Sequence, residues 1–284
     1  MNLKRPGLWA AGVLLVLALG CKKDADNTTP TPTETACQIK KVSFGTLGEY
    51  ELYESDANGR TTKFWMYYAD ANGKIPASVN PSTIIYNAQS LAERFNWSDG
   101  SGYDLLSYTN GALSKIEVYV QNKKVYQFDV TTNASKQITA MKGTSFDKTF
   151  GNDYTTTFTL DAQGRYTSLT NKNGDGDFYR EVRTGFEPNA KSYYDNWAAN
   201  GVPIDPAIES ALYGQYMPTA PGATLKNEYY WGYDANDKYV GLKKDGEYTF
   251  SRKLNSRSYV TERTNTDVLA KTTSKNTYEY SNCN

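Results

Sequence analysis

Residues Tyr154–Arg165 read YTTTFTLDAQGR. Tyr154, Phe158 and Leu160 share one face of an extended chain, with threonines interleaved. Alternation with period two marks a strand with one buried face, and Tyr, Phe and Thr suit strands. The run stops at Asp161-Ala162-Gln163-Gly164-Arg165. Asp can accept a backbone N–H at the start of a type I turn, and Gly tolerates the left-handed conformation that ends it. The segment therefore reads as a strand followed by a tight turn that sends the chain back.

The same alternation recurs outward in both directions. Tyr126, Phe128 and Val130 share a face, as do Ile116, Val118 and Val120. Phe64, Met66 and Tyr68 form another row. Tyr229, Trp231 and Tyr233 do so further on, then Tyr248, Phe250 and Leu254, and Tyr278 with Tyr280 near the end. The chain carries 24 tyrosines, and aromatics make up 14% of it, enough to give most strands a large buried ring. Turn boxes related to Asp161–Arg165 occur at Asp56–Arg60, Asp70–Lys74 and Asp234–Lys238, with related turns at Tyr108–Gly111 and Asn171–Gly176.

A strand, a D-A-x-G-[RK] box and a second strand resemble the YD-type hairpin unit of RHS-repeat proteins and of Bacteroidetes-type lipoproteins built from such hairpins. The resemblance implies a fold style and no function. The expected fold is all-β: one antiparallel meander of hairpins, strongly curled or closed into a barrel. Two packed sheets forming a β-sandwich are the alternative. One stretch, Tyr193–Gly222, departs from the pattern and is expected to be an insertion at one end of the sheet. Within it Asp205 can cap a short helix with Pro206 at its first position. Ile208 and Leu212 would form its buried stripe, and Gly214 its end.

The N-terminus supplies an address. Lys4 and Arg5 precede an apolar run, Leu8 to Leu19, of twelve residues. A membrane-spanning helix needs roughly 20, so the run fits a cleaved secretory segment. It ends in Leu19-Gly20-Cys21, which resembles the lipobox of bacterial lipoproteins. That resemblance implies removal of residues 1–20 and lipidation of Cys21. Lys22, Lys23, Asp24 and Asp26 resemble the charged cluster of surface-exported Bacteroidetes-type lipoproteins. Outer-membrane anchoring, facing the cell surface rather than the periplasm, is what this implies. Asn27–Ala36, NTTPTPTETA, reads as an extended, solvated tether. The expected organisation is a signal peptide (1–20), a lipidated cysteine with tether (21–36) and a single β-rich domain (37–284).

Composition removes several function classes. Lys plus Arg and Asp plus Glu are equal at 31 each, and loss of residues 1–20 leaves a net charge of −2. No basic tract exceeds a pair such as Lys123-Lys124, so no nucleic-acid partner is expected. The chain contains no histidine, which excludes Ser-His-Asp and Cys-His catalysis and His-ligated metal sites in their usual forms. Two cysteines remain after Cys21. In an oxidising envelope, Cys37 and Cys283 are expected to pair, which requires the first and last strands to be neighbours.

Three groups of residues could carry chemistry. Asn171, Asn173, Asp175 and Asp177 are spaced like ligands of a calcium loop with Gly176 at the sixth position, although Val182 stands where the bidentate Glu belongs. A Gly-rich hairpin turn accounts for the same residues. Carboxylates in or near strands, namely Glu49, Glu51, Asp177, Glu181 and Glu228, are the raw material for a glycosidase pair, but no pair stands out. Tyr193, Tyr194, Trp197, Tyr213 and Tyr216 could stack on sugar rings or form local core.

The expected function is that of a non-enzymatic, outer-membrane-anchored binding or structural module. Its expected partners are the membrane, through the lipid, and a glycan, cell-surface polymer or surface protein. No cofactor beyond the calcium candidate is expected. The alternatives are a carboxylate-dependent polysaccharide hydrolase and a periplasm-facing carrier of apolar cargo.

Overall fold

The alternating rows become strands of a single closed barrel. The computed structural model describes residues 37–45, 49–68, 79–187, 189–192, 195, 197–198, 201–204 and 223–283. The signal peptide, Cys21, the tether, the Asp70–Lys74 box and the helix expected from Asp205 to Gly214 lie outside the described residues.

The first quarter holds β1 (Gln38–Phe44), β2 (Glu49–Ser55), β3 (Thr61–Tyr68) and β4 (Ser82–Tyr86). Then come β5 (Ala92–Asn96), β6 (Gly102–Thr109), β7 (Ala112–Val120) and β8 (Lys123–Thr132). Next are β9 (Ile138–Ser145), β10 (Tyr154–Leu160), β11 (Tyr166–Lys172) and β12 (Asp177–Glu187). The last four are β13 (Ala223–Tyr233), β14 (Tyr239–Leu254), β15 (Val260–Asp267) and β16 (Thr272–Ser281).

Each strand pairs antiparallel with its sequence neighbours, and β1 pairs with β16 to close the ring of 16. The sandwich alternative is thereby excluded. Closure removes both sheet edges, the groups most prone to pair with another chain. The closing register runs from Gln38 opposite Ser281 to Phe44 opposite Asn276. Beside it, Cys37 and Cys283 are disulfide-bonded with Cα atoms 4.8 Å apart.

The turn box has a uniform chemistry. The Oδ1 of Asp161 accepts the backbone N–H groups of Gln163 and Arg165 at 2.9 and 3.0 Å, and Gly164 takes a φ of 76°. Asp56 and Asp234 do the same in their boxes. So do Asn87, Asn133 and Asn255, which the Asp-centred pattern passes over. Five of these six turns lie at the barrel end that carries the disulfide, because alternate strands in a meander turn at the same end.

The inward face of β7 to β9 is packed as a core. Phe128 and Ile116 are fully buried, and Tyr126 and Met141 nearly so. Ring centroids of Tyr126 and Phe128 lie 4.8 Å apart. Burial of each such apolar side chain contributes about 1.5–3 kcal/mol. Rows predicted as wholly buried lose burial along their length. Phe64 is 3% exposed but Met66 48%, and Trp231 and Leu254 also stand out at 39% and 37%. Met66 and Trp231 lie toward the end opposite the disulfide, and Leu254 at the last position of its strand, where fewer neighbours cover the inward face.

The described parts of the β12–β13 connection fold across the disulfide end. Ala92 donates its N–H to the Gly201 carbonyl at 3.0 Å, and Lys191 bridges to Tyr259. Trp197, Val202 and Ile204 are fully buried. Trp197 packs edge-on against Tyr53 at 5.4 Å and Phe64 at 6.4 Å. Of the two readings of Trp197, sugar stacking or local core, the burial of its ring fits local core. Tyr193, Tyr194, Tyr213 and Tyr216 lie outside the described residues.

Candidate functional site in the barrel lumen

The inward positions of β12 to β16 are not packed like those of β7 to β9. They enclose a cavity of about 670 Å³. Period-two alternation brings Tyr179, Glu181 and Arg183 to it from β12, and Asn227 and Tyr229 from β13. Tyr248, Phe250 and Arg252 come from β14, Arg263 and Asn265 from β15, and Ser274 and Tyr278 from β16. Ser192, Ala223 and Val260 close it toward the disulfide end. Ser274 and Asp245, both exposed, stand toward the other end.

The walls are aromatic. Tyr229 meets Tyr248 edge-to-face with centroids 5.6 Å apart, and Tyr179 lies 6.4 Å from Tyr229. Burial pushes the Tyr229 hydroxyl up to about 12 and the Tyr179 hydroxyl further. Both phenols are therefore neutral donors at neutral pH.

Between the rings sit charged and amide groups. Glu181 is 4% exposed and accepts from Arg183 Nε at 2.7 Å and Asn227 Nδ2 at 3.0 Å. Arg252 and Arg263 face each other directly across β14 and β15. Phe250 lies under both guanidinium groups, at 5.5 and 5.2 Å from its centroid. The Arg252 side chain is 3% exposed and donates Nη2 to the Thr224 carbonyl. Burial and the neighbouring Arg263 charge lower its pKa to about 10, against the pull of Glu187. Four atoms here have no hydrogen-bond partner: Asn227 Oδ1, Arg252 Nη1, Arg263 Nε and Asn265 Oδ1.

The other carboxylates do not converge on this cavity. Glu51 is buried and accepts from the Tyr53 hydroxyl. Glu228 is paired with Val182 on the outer face. Glu49 is half-buried at the start of β2, and Asp177 pairs with Arg180 at 3.1 Å. A glycosidase pair is not assembled by these residues.

The calcium-loop residues form the β11–β12 hairpin. Asn171 is 1% exposed and accepts from the Thr156 hydroxyl at 2.8 Å. Asn173 donates to the Tyr233 hydroxyl at 2.6 Å, which donates to Asp175 at 3.1 Å. Among the described residues, no three His, Cys, Asp or Glu side chains gather as a metal site.

The outward face has a different character. Lys226, Glu228, Lys244 and Glu247 form a cross-strand charge cluster, with Lys226–Glu247 at 2.8 Å and Lys244–Glu228 at 2.9 Å. Hydrogen bonds from Lys244, Lys226 and Tyr230 hold the Glu228 carboxyl down to about 2. Further round, Lys253 and Lys275 share Glu262 at 3.1 and 2.5 Å. Lys115, Asp129 and Lys142 stand in register on β7, β8 and β9. Thr155, Thr157 and Thr159 line β10 on the same side.

Two solved structures share this architecture. A porin-like protein from Bacteroides uniformis matches with a TM-score of 0.51 at 12% identity, covering 88% of this chain and 100% of that one. A porin-like protein from Bacteroides vulgatus gives 0.52 at 11% identity, covering 86% and 98%. No family model and no curated protein matches the chain. At these identities the likeness shows the fold, a closed antiparallel meander barrel.

Proposed function

We propose that this chain is a non-enzymatic, lipid-anchored outer-membrane protein whose barrel stands in water and binds a ligand in its lumen. The observation that carries the reading is the outward face. A barrel inserted through its strands presents an apolar band to lipid, and each lysine placed at the bilayer midplane costs about 2–4 kcal/mol. The Lys226–Glu228–Lys244–Glu247 cluster and the Lys253–Glu262–Lys275 group lie on that face. The two Bacteroides proteins are described as porin-like. That description does not extend to strand insertion here, because the charged face would have to meet lipid.

Attachment then falls to the N-terminus, where Cys21 follows the apolar run and precedes a charged, Pro/Thr-rich tether. Acyl chains hold a water-borne domain at a bilayer, each buried CH₂ contributing about 0.8 kcal/mol. The charged cluster after Cys21 favours the cell-surface face. Arginines and amides in the lumen argue against an apolar cargo.

Fractionation tests this. The unmodified chain should pellet with membranes through an alkaline carbonate wash, and the Cys21→Ser variant should be released. A Cys21→Ser protein that matures, folds and still resists the wash would show that the strands themselves are inserted.

A further inference from the structure

We infer that the β12–β16 half of the lumen binds a short acidic sugar, its carboxylate between Arg252 and Arg263 and its ring against the aromatic wall. The inference rests on reading the barrel as a binding module and names what it binds.

The anion follows from the arginine pair. Like charges directly opposite on neighbouring strands destabilise a sheet, and Arg252 and Arg263 are so placed with their guanidinium groups beside one ring. Their charges are poorly answered from within. Glu181 is taken by Arg183 at 2.7 Å. Glu187 stands 3.8 Å from Arg252, beyond hydrogen-bond reach. Arg263 has no ion-pair partner among the described residues. Arg252 Nη1 and Arg263 Nε are buried donors without a hydrogen-bond partner, on side chains that line the cavity. A carboxylate accepts two N–H groups at once and would answer both charge and donors.

The sugar follows from the remaining groups. Asn227 Oδ1 and Asn265 Oδ1 are unpartnered acceptors on the same wall. A bare carboxylate offers them nothing, whereas sugar hydroxyls are donors. Tyr179, Tyr229 and Tyr248 supply aromatic surface beside them. The cavity's volume, about 670 Å³, suits a ligand of one or two rings.

Calorimetric titration of the full-length lipidated protein in detergent micelles tests the inference, with digalacturonate, galactobiose and inorganic phosphate as probes. Digalacturonate should bind, with galactobiose and phosphate at least about tenfold weaker. Arg263→Gln should cost digalacturonate at least about tenfold and cost galactobiose, which has no carboxylate, less. Asn265→Asp, almost isosteric, should discriminate in the same direction if Arg263→Gln fails to fold. Circular dichroism and melting report on the fold of each variant. Equal affinity for the two sugars, equal affinity for phosphate, absence of digalacturonate binding, or unchanged affinity in a folded variant would overturn it. Sugar binding without charge preference would leave the binding-barrel reading standing. The fate of Cys21→Ser in the carbonate wash reads the anchor alone.

Discussion

Replacing both Cys37 and Cys283 by serine should lower stability by about 5 kcal/mol without changing the native barrel. The bridge spans a sequence separation of 246 residues. In the chain-entropy model, opening a loop of that length returns about 5 kcal/mol of freedom to the unfolded chain. Unfolding entropy near 2.1 cal/mol/K per residue, over a domain of this size, converts that into a fall in Tm of roughly 10 °C. The native state is expected to hold because closure does not depend on sulfur. β1 and β16 are joined by their own ladder, and Tyr278 and Ile39 are buried beside it. Calorimetry of the double variant, and of the native protein with dithiothreitol, should give matching losses, and the far-ultraviolet spectrum should stay the same. The slope of urea unfolding should rise, because an uncrosslinked chain exposes more surface. A Tm shift below about 2 °C would refute the reasoning. A full shift with an unchanged urea slope would put the bridge's effect in the native state and refute the entropic account.

Two further outcomes follow from the packing and the turns. Trp197→Ala should destabilise the barrel by about 3–5 kcal/mol, since it empties a fully buried site between Tyr53 and Phe64. A urea-derived loss below about 1 kcal/mol would mean that the barrel end closes without this ring. For Asp161, partial burial raises the carboxyl pKa, but the backbone and side-chain hydrogen bonds and charge of Arg165, with the Gln163 N–H, outweigh it and leave a net lowering. A lowered folded pKa means that the unfolded chain takes up the proton first. This contribution is present above the ordinary Asp range, near pH 3.9, and is lost as pH falls through the folded value. Asp161→Asn keeps the Oδ1 acceptor but cannot titrate. Its urea midpoint should fall less than that of the unmodified protein between about pH 5 and pH 3, and parallel curves would exclude the effect.

The hairpin framework was legible because its causes are local. Period-two rows fixed the strands around Tyr126, Phe158 and Tyr248, and the boxes at Asp56, Asp161 and Asp234 fixed where the chain turns. The Asn-centred boxes at Asn87, Asn133 and Asn255 use the same Oδ1 geometry, but their fourth residues, Ser90, Lys136 and Ser258, adopt the left-handed conformation without glycine. The glycine-free box at Asp234 has a left-handed Asp237 as well, so it is the missing Asp-Ala start that hides Asn87, Asn133 and Asn255 from a pattern keyed on D-A. Pairing of Cys37 with Cys283 made neighbours of the first and last strands, yet barrel and curled sheet stayed open as alternatives because closure depends on non-local register. The site was harder to read. Tyr248, Phe250 and Arg252 are in phase, but a row read for its apolar members passes from Phe250 to Leu254 and omits the arginine. The meeting of Arg252 with Arg263 is a register fact, set by the turn at Asn255–Tyr259 and the bulge between Lys253 and Leu254.

Period-two alternation does not say which face meets water. A membrane barrel and a water-borne barrel both alternate, with opposite sets turned inward. The proposed reading rests on what the two sets contain. Lysine, glutamate and threonine face out on β9, β10 and β13 to β16, and the inward set is divided. On β7 to β9 it is Ile116, Phe128 and Met141, packed to near-zero exposure. On β12 to β16 it mixes rings with arginine and amide groups around open volume. An interior selected for stability alone would follow the first pattern throughout, since an unpaired buried polar atom costs about 1–3 kcal/mol. Buried polar groups in native proteins are normally satisfied. Asn227, Arg252, Arg263 and Asn265 each carry an unpartnered atom, and all four line one cavity. Further such atoms, Trp197 Nε1 and Tyr280 Oη among them, lie elsewhere, but four gather at this cavity as donors and acceptors with a ring beside them. The packed half holds the strands in register, and the cluster of groups that a ligand would satisfy lies in the other half.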